Sequence, residues 1–308
     1  MADLIKVVSV SLGSSRRDME AEVDLRGKRV LVQRVGTNGD MRRAEEMIRD
    51  LDGKVDALGL GGIDLYIWAG KRRYAFRDAQ RLARAARVTP VVDGSGLKNT
   101  LERWVIRYLS REAGIQLAGK KVLMVCAVDR FGMAETLVEA GAEMIFGDLV
   151  FALGIPLPLR RLRDLHLVAS IAAPVITKLP FKWVYPTGEK QNSNPVETRE
   201  AYVRLYQWAD LIAGDFHFIR RFMPKDLAGK TIITNTVTAE DVAELRRRGA
   251  LRLVTTTPDI CGRSLGTNVV EAMAVAMEGR RPEEMTPDDY LHWLQGVGFK
   301  PRIEDLNN

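Results

Sequence analysis

The sequence predicts an α/β protein: an N-terminal α/β substrate domain followed by a Rossmann-type, doubly wound parallel sheet. Three observations carry that expectation. Short apolar runs alternate with amphipathic segments of helical period, the order that builds βαβ units rather than hairpins. The runs end at Gly, Asp, Asn or Thr, which are turn and cap residues. A chain of 308 residues, 46% of them hydrophobic, is longer than one core ordinarily serves, so two domains are expected.

Taken in order, Lys6 to Leu12 has strand composition and meets the turn signal Gly13-Ser14-Ser15, and Glu20 to Leu25 alternates like a returning strand. Arg29 to Val35 reads as a third strand, and Asp40 is placed to cap a helix from Met41 to Leu51. Val55 to Leu60 is a short strand and Arg77 to Arg87 a basic amphipathic helix. Thr89 to Asp93 is a strand closed by Gly94-Ser95-Gly96, and Leu97 to Ala113 is a helix. From Gly119 the pattern changes. Gly119 to Ala127 is a buried strand, Phe131 to Ala140 a helix and Ala142 to Gly147 the next strand, together about 30 residues, the size of a parallel crossover. Asp210 to Gly214, Lys230 to Thr234 and Arg252 to Thr256 are further strands, with helices over Ala239 to Arg248 and Val269 to Met277. Prolines 156, 158, 174, 180, 186 and 195 break residues 149–208 into short helices and loops, as in a lid, subdomain or interface. The expected boundaries are 1–105 for the first domain, 106–280 for the second with 149–208 inserted, and 281–308 for a C-terminal helix and tail.

The formal charge of +6 is spread in short runs with acidic residues beside them. That pattern reads as a solvated, mildly basic surface or, more sharply, as clefts that attract small anionic molecules, and it lacks the basic, aromatic-interleaved stripe of a nucleic-acid binder. Two distant cysteines and three scattered histidines give neither a disulfide framework nor a metal site. Without a leader-like or membrane-length apolar run, the cytoplasm is the expected location. Pairing into a homodimer is left open.

Four places hold candidate chemistry. Asp93 ends a strand and begins a helix, where ligands bind in open α/β sheets, although a cap there looks the same. The segment Ala127-Val-Asp129-Arg130-Phe-Gly132-Met-Ala134 occupies the slot of a nucleotide-binding loop, with Arg130 to attract a diphosphate and the helix N-terminus at Gly132 to receive it. Asp148 ends the next strand, where a carboxylate holds a ribose 2′-hydroxyl and so leans the choice toward NAD over NADP. Asp215 and His217, Asn235 and Thr256 end three further strands. Arg263, Thr267 and Asn268 open a helix, either as an anion site or as its cap.

The segment Asp93-Gly-Ser-Gly-Leu97, the Leu-Glu of the following helix and Gly119-Lys-Lys-Val-Leu123 resemble the shikimate/quinate dehydrogenases, including bacterial proteins labelled quinate 5-dehydrogenase. The resemblance is best over Val91 to Asp148. It implies hydride transfer between NAD or NADP and a cyclic hydroxy acid, with Asp93 and a lysine handling the hydroxyl proton. The family's lysine segment, Asn-Val-Thr-x-Pro-x-Lys, is absent. Lys71 takes the role, with Lys98 and Lys54 behind it. Of the family's Gly-x-Gly-Gly-x-Ala loop, only Gly132 and Ala134 are matched. Ser9 and Ser11 correspond to paired serines that hold substrate carboxylate; Lys98, Asn99, His217, Arg263 and Asn268 complete the expected substrate set. The alternative is a non-redox enzyme or binding protein that uses the same cleft for a phosphorylated or carboxylated metabolite.

Overall fold

The computed structural model describes residues 4–69, 72–179, 200–257, 259–260 and 263–307. The chain opens with strand β1 (Ile5–Ser11) and the hairpin strands β2 (Met19–Leu25) and β3 (Lys28–Gly36). Arg26 and Gly27 both take positive φ, 56° and 74°, the pair of left-handed residues that a two-residue hairpin turn requires. Asp40 caps α1 (Met41–Leu51), accepting from the amides of Arg42 and Arg43 as predicted. There follow β4 (Ala57–Gly61), a hairpin of β5 (Tyr66–Ala69) and β6 (Arg72–Ala75), α2 (Arg77–Ala83), the two-residue β7 (Val91–Val92) and α3 (Ser95–Arg111). The β5–β6 hairpin stands where no strand was predicted. The first sheet runs β2-β3-β1-β4-β7 and is parallel except for β2. Val7, Val8 and Val10 of central β1 are all buried, because a parallel strand is covered on both faces.

The chain continues through β8 (Lys121–Met124), α4 (Phe131–Glu139) and β9 (Glu143–Phe146), the predicted crossover, and then a π turn at Asp148–Ala152. Next come α5 (Leu162–Ile176), with Pro174 in its last turn, and α6 (Glu200–Trp208). Then follow β10 (Leu211–Ala213), α7 (Phe216–Phe222), β11 (Thr231–Thr234), α8 (Ala239–Arg247) and β12 (Arg252–Thr255). A two-residue ladder of β13 (Asp259–Ile260) and β14 (Arg263–Ser264) precedes α9 (Thr267–Glu278), α10 (Pro287–Gly296) and β15 (Arg302–Asp305). The second sheet runs β15-β12-β11-β10-β8-β9, parallel except for β15. Its core gathers Leu123, Ile145, Phe151, Tyr206, Ile212 and Phe216.

The described residues form two compact units. One holds those within Met1–Thr100, Ala172–Asn192 and Gly266–Phe299; the other holds those within Leu101–Ile171, Ser193–Leu265 and Lys300–Asn308. This division departs from the expected boundaries. Helix α9, assigned by its position to the second domain, packs on β1 and β4 of the first sheet. It is apolar nearly all round, with Val269, Val270, Ala272, Met273 and Ala274 buried, and such a helix must find cover on every face. Among the described residues no helix is long and apolar enough to cross a membrane.

Candidate functional site

In the second unit, the chain leaves β8 toward β9 on one side, while β10 flanks β8 on the other. Such a switch point is where open α/β sheets bind ligands, and the loop at residues 125–130 lies there. The loop is closed by the protein's own side chains. Asp148 Oδ1 accepts the amides of Ala127 and Val128, both at 2.9 Å, and lies 3.6 Å from the Cys126 thiol. These amides sit in the stretch that a dinucleotide diphosphate would approach. Asp148 Oδ2 is buried and has no hydrogen-bond partner among the described residues. Burial pushes the Asp148 carboxyl up to about 6 against the pull of the two amides, with the charge of Asp129 adding to the rise. Burial likewise pushes the Cys126 thiol well up, aided by Asp148 and Asp129, which disfavours the thiolate.

Arg130, expected to meet a diphosphate, is only 2% exposed. Its guanidinium bonds Glu102 of α3, lies 3.3 Å from Asp215 Oδ2 at the end of β10, and 3.7 Å from Asp129 Oδ2. Three carboxylates therefore hold the charge that was expected to face a ligand. Gly132 lies buried in the first turn of α4, its carbonyl accepting Thr136 Oγ1 at 2.8 Å. The expected roles of Arg130 and Asp148 in cofactor binding are thus replaced by an internal ion network and an internal plug.

The same sheet edge brings Asp215, His217 and Asn235 together. Asp215 caps α7 by accepting the amide of His217 at 2.8 Å, and accepts Asn235 Nδ2 at 3.1 Å. Burial would raise its pKa, but His217, Arg130 and these hydrogen bonds hold it down at about 2. The carboxylate side chain is 24% exposed, and His217 and Asn235 are half-buried. Thr256, just after β12, lies in the interior, 1% exposed, with no partner for its hydroxyl among the described residues; it is closed to a ligand.

In the first unit, Asp93 is a structural tie. Its Oδ2 accepts the amides of Leu65 and Tyr66 at 2.5 and 3.4 Å, and its Oδ1 accepts the amide and hydroxyl of Ser95 at 3.1 and 2.6 Å. With both oxygens so engaged and the residue buried, the capping alternative is the one realised, and the expected catalytic carboxylate is not presented. Ser9 and Ser11 are 1% and 3% exposed. Ser9 accepts Asn268 Nδ2 at 2.7 Å, and Ser11 accepts the Gly13 amide at 3.1 Å and Arg34 at 2.9 Å. Both serines and Asn268 are therefore packing contacts in place of carboxylate binders. Gly94, at φ 96°, has room for no side chain: a Cβ would stand 2.7 Å from the Asn268 amide nitrogen. Lys98 pairs with Asp64 at 3.6 Å, and Asn99 is exposed on α3. Lys71 lies outside the described residues, as does the side chain of Arg263.

Two acids had been given no role: Glu102, seen only as part of the Leu-Glu pair, and Glu271. Glu102 supplies the bond to Arg130 described above. Glu271, on α9 one turn after Asn268, accepts the Tyr290 hydroxyl at 2.9 Å and is buried. Burial, then the nearby charge of Asp93, pushes it up to about 8 against the hydrogen bonds from Tyr290 and the amides of Gly94 and Gly96. The i, i+3 spacing of Asn268 and Glu271 was visible; their shared approach to the Asp93 turn was not. Among the described residues no three or more His, Cys, Asp and Glu are grouped to hold a metal ion.

Residues 96–306 match the family described as Domain of unknown function (DUF8754), and residues 6–93 match Domain of unknown function (DUF8753). The chain belongs to the DUF8754 family, whose match spans more than half of it. No curated protein matches. Among solved structures, the chain is similar to a periplasmic ribose ABC transporter from Conexibacter woesei, at 11% identity over 99% of this chain and 93% of that one, TM-score 0.39. It is similar to an L-tryptophan dehydrogenase from Nostoc punctiforme, at 12% identity over 95% and 80%, TM-score 0.34. A glutamate dehydrogenase is 10% identical over 95% and 72%, TM-score 0.41. Likeness this remote assigns neither a ligand nor a reaction.

Proposed function

We propose that this member of the DUF8754 family is a ligand-binding protein that works without hydride transfer and takes a small hydroxyl-bearing molecule at the Asp215 corner. The observation that carries the reading is the pair of 2.9 Å hydrogen bonds by which Asp148 occupies the amides of Ala127 and Val128. A diphosphate brought to those amides would meet a carboxylate in its place. At the neighbouring corner, an ionised, partly exposed Asp215 with His217 and Asn235 beside it supplies acceptors for O–H groups. The carboxylates of Asp129 and Asp215 disfavour an anion there.

A second reading, NAD(P)-dependent oxidation of a quinate- or shikimate-type hydroxy acid, is favoured by one feature: Asp148 stands at the end of β9 in a parallel β8–α4–β9 unit, the place of a ribose-binding carboxylate. It requires Asp148 to release both amides and Arg130 to leave its carboxylates. Titration of NADH, NADPH, quinate, shikimate, inositol and pentoses, followed by tryptophan fluorescence and calorimetry, separates the two. The expected result is saturable binding of a hydroxylated ligand, weakened about 10-fold by Asp215→Asn, the loss of roughly one charge-assisted hydrogen bond. Asn preserves the α7 cap but removes the charge 3.3 Å from Arg130, so an unchanged melting temperature of the variant is the control that makes the loss report the ligand. Micromolar binding of either dinucleotide, with turnover, establishes the second reading instead.

A further inference from the structure

The basic helix singled out in the sequence faces a site of its own in the first unit. Between α1 and α2 and the turn after α2 opens a groove of about 680 Å³, a volume within the range of small-molecule sites. Five arginines line it: Arg49 from α1, Arg77 and Arg81 from α2, and Arg84 and Arg87 beyond. Only two carboxylates share the lining, and both are committed. Glu45 is buried and pairs with Arg49 and with Arg81, the latter at 2.8 Å. Asp52 accepts the backbone amides of Arg87, Val88 and Thr89 at 2.8, 3.0 and 2.8 Å, and these amides hold its carboxyl down at about 2.

The spacing Arg77, Arg81, Arg84 is i, i+4, i+7, which sets three like charges on one helix face. Arg81 is partly offset by Glu45, but folding gains nothing evident from Arg77 and Arg84 beside it, since like charges at this spacing repel. Among the described residues Arg77, Arg84 and Arg87 have no side-chain hydrogen bond or ion pair, and all three are exposed. Guanidinium forks match phosphate oxygens in pairs. The other lining residues are Gln80 and Ala85, so the groove has no aromatic face on which a base would stack.

We propose that this groove binds a small ligand carrying two or more phosphate groups. The site is separate from the Asp215 corner and does not depend on how that corner is read. Tripolyphosphate is the probe, titrated by calorimetry into the full chain at low salt, with orthophosphate and a single-stranded 20-nucleotide RNA as comparisons. The expected result is one saturable tripolyphosphate site, at least about 30-fold tighter than orthophosphate and weakening with added salt. The combined variant Arg77→Gln/Arg84→Gln/Arg87→Gln is expected to weaken it by about 10-fold or more, because charge-assisted contacts are lost. Its melting temperature without ligand stays equal to or above that of the parent, since repulsion is relieved, while Asp215→Asn leaves tripolyphosphate binding unchanged. The proposal is overturned by absent tripolyphosphate binding, by equal binding in the triple variant, or by RNA held through these arginines that tripolyphosphate does not displace.

Discussion

The Asp93–Glu271 corner of the first unit and the Arg130–Asp148 corner of the second solve one problem in two ways. Each lies at the carboxyl ends of parallel strands, and each turns a carboxylate onto nearby backbone amides. In the first, two buried acids stand close, and Glu271, up to about 8, keeps its proton at neutral pH. In the second, a buried guanidinium is shared among Glu102, Asp129 and Asp215. A corner closed by a proton responds to pH; a corner closed by a fixed cation responds to removal of that cation.

The largest effect is expected from Arg130→Leu. Glu102 is 2% exposed at its side chain and Asp129 9%, so the variant strands buried carboxylates and is expected to lose about 3–5 kcal/mol in denaturant unfolding. A loss below about 1 kcal/mol would show that the ion network is not what holds this corner. Next comes Glu271→Gln. The folded-state pKa of Glu271 lies above its ordinary value of 4.5, at about 8, so the folded state keeps a proton that the unfolded state releases. Stability from this group therefore falls as pH rises from about 4.5 to about 8. Gln removes that slope, and the variant gains on the parent as the solution becomes alkaline; parallel pH profiles of parent and variant would contradict a proton held on Glu271. The smallest effect is expected from Asp148→Asn. By the same sign, stability from Asp148 falls as pH rises from 3.8 to about 6, and the variant flattens that window, gaining on the parent across it and keeping that smaller gain at pH 8. A large loss at pH 8 would mean that the ionised carboxylate, more than its acceptor atom, secures the loop.

Much of the order of elements was legible. The Asp40 cap, the β8–α4–β9 crossover and the strands ending near Gly214, Asn235 and Thr256 lie where apolar period and cap residues placed them. The β5–β6 hairpin was missed because its strands are short and the basic run Lys71, Arg72 and Arg73 at its centre reads as an exposed turn, although Gly70-Lys71 fits a two-residue loop with Gly in first place. Of the candidate site residues, Asp215, His217 and Asn235 do meet. Asp93, Ser9, Ser11, Arg130 and Asp148 were found as polar residues at strand ends, but their partners are amides and ions far away in sequence, and residue type does not reveal whether such a partner is water, ligand or the chain itself.

By itself, then, the sequence determined the α/β class and the positions of caps and turns, because those depend on neighbours within a few residues. Tertiary structure alone decided that α9 belongs with the first sheet, that Arg130 is spent on Glu102 and Asp215, and that the arginines of α1 and α2 face one groove. Burial and charge pairing are properties of what lies nearby in space, and they settle whether a polar group is offered to solvent or consumed within the fold.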